Sequence, residues 1–304
     1  MKSLIEYLNE GYEYTYNLSK SEQDWVNSTK SINRNKVQPK TKRQLKKLIY
    51  ASFQKGIYDL NFIDTSKITD MSGLFSPASE FNVNSIHTNY GEEMDISSWD
   101  VSNVTNMSNM FSKCKYFNCD LSNWDVSKVT NMAYMFEDCT YFNCDLSKWN
   151  VSKVTDMDHM FTSCIEFEGI GLENWNVSKA TDMRYMFRLC KNFDCDLSNW
   201  NVSNVVNIGW MFNECEMFTG KGLENWDISN VTNMFGMFAG CKKFDCDLSN
   251  WDVSNVINMY ALFRKCNKFT GKGLENWNVS NVIDMRGMFK GCNKLTIPDW
   301  YKNI

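Results

Sequence analysis

The stretch WDVSKVTNMAYMFEDCTYFNCDLSKW, residues 124–149, decides how the chain is read, because it recurs. Tryptophan returns at positions 99, 124, 149, 175, 200, 226, 251 and 277, spaced by 25 or 26 residues. Each Trp is followed by Asp or Asn, Val or Ile, Ser, Asn or Lys, and an apolar residue. Then come Met-x-x-Met-Phe-x-x-Cys and a further Phe. An earlier copy without the Trp, IDTSKITDMSGLF, starts at Ile63, and the insert SPASEFNVNSIHTNYGEEMD separates it from the rest. A fixed period of this size is the mark of stacked repeats, and the copies amount to nine coils.

The two spacings have a visible origin. Short copies close on Cys-Asp, as in FNCDLSNW, and long copies on Gly-x-Gly, as in FTGKGLENW. The extra residue reads as a bulge in which glycine gives backbone freedom. Within each copy DLSNWDVS alternates and predicts a short strand. The Asn or Asp at 106, 131, 156, 182, 207, 233, 258 and 284 is placed to cap a short helix, whose Met, Phe and Cys would share one face. The expected architecture is an α/β repeat solenoid, right-handed and leucine-rich-repeat-like. It would carry one short strand and one short helix per 25–26-residue coil over residues 61–304. Residues 1–60 would form a non-repeat N-terminal cap with a basic helix.

The motif V-T-N-M-x-x-M-F-x-x-C-x-x-F-N-x-D-L-S-x-W-D-V-S resembles the BspA-like leucine-rich-repeat family. More narrowly, it resembles the repeat first catalogued as a domain of unknown function in mycoplasma surface proteins. The resemblance covers about residues 63–300. It implies a leucine-rich-repeat-like fold without catalytic residues, and relatives that are often secreted or lipid-anchored adhesins.

Twelve cysteines raise the question of chemistry. Eight lie fifteen residues after each Trp, at 114, 139, 164, 190, 215, 241, 266 and 292. Four more, Cys119, Cys144, Cys195 and Cys246, exchange with Gly169, Gly220 and Gly271 in the other copies. Exchange with glycine asks for a small residue rather than a thiol, so both sets are read as core. No Cys-x-x-Cys occurs, and the histidines, His87 and His159, lie elsewhere, so no metal site is expected. Eight equivalent thiols define no unique disulfide pairing. No nucleophile–histidine constellation is visible. The chain is therefore expected not to be an enzyme and to need no cofactor. The repeated Ser and Asx residues are read as partners of turn and helix-end backbone groups.

Net charge is −4, which does not suggest a nucleic-acid binder, although Ser31 to Lys55 holds eight Lys or Arg and no acid. That basic segment is the only hint of nucleic acid. Its Leu45, Leu48, Ile49 and Phe53 would dock a helix on the Ile63 coil. No apolar run reaches the roughly 18 residues of a membrane span. The start lacks a secretory signal, so the expectation is cytoplasmic, with surface or virion locations as alternatives. The leader SLIEYLNEGYEY is similar to short leaders of bacteriophage-encoded proteins.

Residues that change between copies are free to carry specificity. The pair after the first Met holds one ring in six consecutive copies: Tyr134, His159, Tyr185, Trp210, Phe235 and Tyr260. Tyr116, Tyr141 and Met217 occupy the position two after Cys. These rings are the candidate contact residues for a protein partner. The expected function is protein binding without catalysis. The alternatives are a bacterial adhesin-like surface module and a phage- or mobile-element-encoded cytosolic protein, either a virion component or an inhibitor of a host enzyme.

Overall fold

A computed structural model describes residues 36–53, 55–76 and 94–302. The leader, and all but the ends of the insert with His87, lie outside these residues. Among these residues one helix, α1 (Lys42–Phe53), precedes the repeats, and a single helical turn, α2 (Asp299–Lys302), follows them. Between them the chain runs almost entirely in turns, with isolated 3-10 turns at Leu172–Asn174 and Leu223–Asn225. Single-residue parallel bridges join one copy to the next, along Asp70, Asn106, Asn131, Asp156, Asp182, Asn207, Asn233, Asn258 and Asp284. The expected α/β solenoid with a strand and a helix in every coil is therefore wrong. Among the described residues the repeats contain neither, and the coils are stacked layers of successive β-turns.

The backbone explains why Met-x-x-Met-Phe-x-x-Cys is not helical. In the coil begun by Trp124, the Met135 amide bonds the Met132 carbonyl and the Cys139 amide bonds the Phe136 carbonyl. The third residue of each turn, Tyr134 and Asp138, has φ of 59° and 58°. Positive φ at that place is what a type II turn requires and what a right-handed helix forbids. The intervening amides leave the coil. Met132, Tyr134, Phe136 and Asp138 donate to Asp156, Asp158, Met160 and Thr162 of the next copy, at 2.8–3.0 Å. Amides thus alternate between closing a turn and reaching the following layer. A second row runs the other way, from Thr130 to Thr105 and from Thr155 to Thr130.

The supposed helix caps accept a hydrogen bond from the amide two residues on, as Asn131 does from Ala133. Asp120 and Asp125 do the same for Ser122 and Ser127. Each is an Asx turn that ends in more turn rather than in helix. The expectation that these polar rows serve the backbone therefore stands, without the helix.

Each turn points one apolar side chain inward. Phe75, Phe111, Phe136, Phe161, Phe187, Phe212, Phe238, Phe263 and Phe289 form one continuous ladder, with centroids 5.3–6.0 Å apart and planes within 11°. Full burial of such a side chain contributes roughly 1.5–3 kcal/mol. Every repeated Trp is buried and donates its indole N–H to a carbonyl of the coil before, as Trp175 does to Leu146 at 3.2 Å and Trp200 to Leu172 at 2.8 Å. Phenylalanine could fill this space but would orphan that acceptor.

The long coils need both glycines. A Cβ on Gly171 (φ 89°) would strike the backbone of Ser147 in the coil before. One on Gly169 would lie 2.9 Å from the Cβ of Cys195 in the coil after. Short and long coils therefore fit each other, cysteine over glycine.

At the N-terminal end, α1 buries Leu45, Leu48, Ile49 and Phe53. Phe53 lies 6.5 Å from Phe75, and Lys42 reaches Asp70 at 3.1 Å. Val37 adds a parallel bridge to Ile63.

Candidate functional site

The cysteines come first, since they carry the question of chemistry. All twelve are free. The eight that follow Met-Phe are not merely small. Cys139, Cys164, Cys190, Cys215, Cys241, Cys266 and Cys292 donate S–H to the Phe carbonyl of the coil before at 2.9–3.1 Å, and Cys114 does so at 3.6 Å. Burial raises every thiol, to about 11 at Cys119 and Cys292 and about 12 at Cys144, Cys195 and Cys246. A thiol held protonated is a poor nucleophile and a poor ligand. Among the described residues no group of three His, Cys, Asp or Glu is placed to hold a metal ion.

The six predicted rings do not form one exposed stripe. Tyr134, His159, Tyr185 and Trp210 sit at the positive-φ position of the first turn, whereas Phe235 and Tyr260 sit one residue earlier, before Gly236 and Ala261. All six side chains are half-buried, and five of them interlock. His159 is sandwiched between Tyr134 at 4.5 Å and Tyr185 at 4.2 Å. Phe235 meets Tyr185 and Trp210 edge-on at 6.3 and 5.7 Å. Phe235 fills the space over Gly209, and Trp210 fills the space over Gly236, where a Cβ would come within 2.7 Å of the indole. Tyr260 stands apart beneath the Arg286 guanidinium at 5.8 Å. Sequence variation in this ridge is thus matched between neighbouring coils, and the assumption that variable residues are free of packing duty fails here.

The sequence reading missed the polar underside of the ridge. Asp158 is buried, 2.6 Å from His159 Nδ1 and 3.5 Å from Arg184, which also pairs with Asp182 at 2.8 Å. Burial, then the Asp158 carboxylate, pushes the Tyr134 hydroxyl up to about 12. Asp158 lies in the changeable pair after Met157, two residues beyond the Asx-turn Asp156, so nothing in the repeat pattern marked it.

Tyr116 and Tyr141 lie elsewhere, in the column two residues after Cys. They stack at 5.3 Å, and Lys115 lies 5.1 Å over Tyr116. This column is open, with Tyr141 44 % and Met217 40 % exposed. Beside it runs a shallow groove of about 520 Å³, lined by Glu168, Ile170, Glu173, Asn192, Asp194, Asp196 and Met217. Lys221, at 2.8 Å, holds the Asp196 carboxyl at about 2. The groove sets the apolar Ile170 and Met217 beside the carboxylates of Glu168, Glu173, Asp194 and Asp196.

Stacked turn-built coils with buried thiols and two outward columns define a repeat protein. The chain belongs to the family described as Mycoplasma protein of unknown function, DUF285, whose model matches residues 43–170, 146–221 and 210–302. The match agrees with the resemblance drawn from the repeat. No curated protein matches the chain. No helix among the described residues is long and apolar enough to cross a membrane.

Proposed function

We propose that the chain is a non-catalytic protein-binding stack that uses the column two residues after Cys as its contact surface. The observation that carries this reading is the Tyr116–Tyr141 pair, which continues past Glu166 and Asn192 to the exposed Met217 and its groove. A stack whose layers are joined by main-chain bonds presents such groups already ordered, so association loses little entropy. Aromatic and Met side chains on a rigid support are what protein contact surfaces enrich. Twelve free thiols suit a reducing compartment, which supports a cytosolic setting. An adhesin-like module and a phage-encoded binder would share the mechanism, and genomic neighbourhood separates them.

The test is a quantitative pull-down from host lysate with the full chain and the Tyr116→Ala/Tyr141→Ala/Met217→Ala variant. The reading expects specific partners to be lost from the variant at an unchanged melting temperature. Equal capture by both would remove this column as the contact surface.

A further inference from the structure

The outward columns change character in the last three coils. Upstream, residues at equivalent positions in neighbouring coils pair with one another. Ser112 bonds Glu137 at 2.9 Å, Arg188 bonds Asn213 at 3.3 Å, and Asn192 bonds Glu166 at 3.0 Å. Glu216 sits between Lys191 and Lys242. Downstream the same columns become like-charged. The position two after Cys holds Lys243, Lys268 and Lys294, and the position two before it holds Arg264 and Lys290, with Lys265 beside them. The coils stay in register here, since Thr270 bonds Asp245 and the Thr296 amide bonds the Thr270 carbonyl.

Stacked like charges at roughly 5 Å spacing are unfavourable. No carboxylate among the described residues ion-pairs with any of the six. The acids of this half are engaged elsewhere: Asp196 with Lys221, Asp247 with Lys272, Asp284 with Arg286, and Asp299 with Lys302. Asp245 accepts from the Thr270 amide and hydroxyl, and the Glu214 carboxylate lies over Gly240, one coil before Lys265. This concentration of unpaired cations stands against a net charge of −4.

We infer that Lys243, Arg264, Lys265, Lys268, Lys290 and Lys294 form a docking surface for an acidic peptide segment of a partner protein. Carboxylates entering these columns relieve the repulsion and steer association. A single-stranded nucleic acid fits less well, because such binders add rings on which bases stack; the adjacent Phe244, Phe263, Phe269 and Phe289 are buried, and the half-buried ring nearest in sequence, Tyr260, is covered by Arg286. The inference goes beyond the Tyr116–Tyr141 reading and stands whether or not that end binds anything.

The test is fluorescence anisotropy of a labelled oligoglutamate peptide with the full chain at low salt. Lys265→Glu/Lys268→Glu/Lys294→Glu is expected to weaken binding about tenfold or more, with an unchanged melting temperature. The control, Lys128→Glu/Lys153→Glu/Lys179→Glu, makes the same charge change on three consecutive coils of another column, next to Asp125, and should retain binding. Absence of peptide binding to the unmodified chain, equal loss in both variants, or tighter binding of a single-stranded oligoribonucleotide would each overturn the inference.

Discussion

The ridge from Tyr134 to Tyr260 and the column from Tyr116 to Lys294 are both outward rows of changeable residues, yet they are built differently. In the ridge, Tyr260 apart, each large side chain has a counterpart shaped to it in a neighbouring coil: Trp210 over Gly236, Phe235 over Gly209, His159 between two tyrosines. In the column, Tyr141 and Met217 remain substantially open, and the lysines of the last coils repeat without a counter-charge. Variation between copies therefore has two meanings. Where neighbours vary together it is packing, and where a residue varies alone it is available surface.

The largest way to break this comparison is to fill the ridge. Gly236→Val puts a branched side chain at φ 59° and against the Trp210 indole. It should cost about 4 kcal/mol or more in denaturant unfolding. Trp210→Ala should cost about 2–3 kcal/mol, whereas Tyr141→Ala should stay within about 0.5 kcal/mol. Equal losses from these two alanine variants would erase the distinction between the faces.

The interior shared by both faces responds to base. Thiols raised from their ordinary value of 9 to about 11 at Cys119 and about 12 at Cys144, Cys195 and Cys246 stay protonated in the fold after the unfolded chain has begun to ionise. Their contribution is complete below pH 9 and lost as pH rises through the folded values. Tyr134, raised to about 12 on the ridge, acts in the same direction from its own ordinary value of 10. The unfolding midpoint in urea should fall steadily from about pH 9 upward; a flat profile would mean that the thiols are not desolvated. The smallest effect is kinetic. Cys119 and Cys292, the two only partly covered, should react first with a thiol reagent, and the other ten should wait for unfolding.

Much of this was legible in the sequence. The Trp period gave the layers, the Asx residues were recognisable as backbone partners although their placement suggested helix caps, and the exchange of Cys with Gly marked a position that needs a small residue, for which the fit of Cys195 over Gly169 supplies the reason. The secondary structure was not legible, for a reason of spacing. Met132, Met135, Phe136 and Cys139 fall at i, i+3, i+4 and i+7, which two successive four-residue turns produce as readily as two turns of helix. The apparent strand fails on closer spacing, since Leu121, Trp124, Val126 and Val129 are separated by 3, 2 and 3 residues. Non-glycine residues at positive φ, such as Tyr134 and His159, leave no compositional mark, although glycine stands at the same position in Gly236 and Gly287. The lysine column was present in the sequence but shows only when one position is followed through consecutive coils.

Backbone chemical shifts and amide–Hα couplings of the isotopically labelled chain test the turn-built coil most directly. Left-handed values at Tyr134, Asp138, His159, Ser163, Tyr185 and Trp210, flanked by right-handed or extended neighbours, are the predicted result. Uninterrupted right-handed helical values from Met132 to Cys139, and across the equivalent segments, would contradict it.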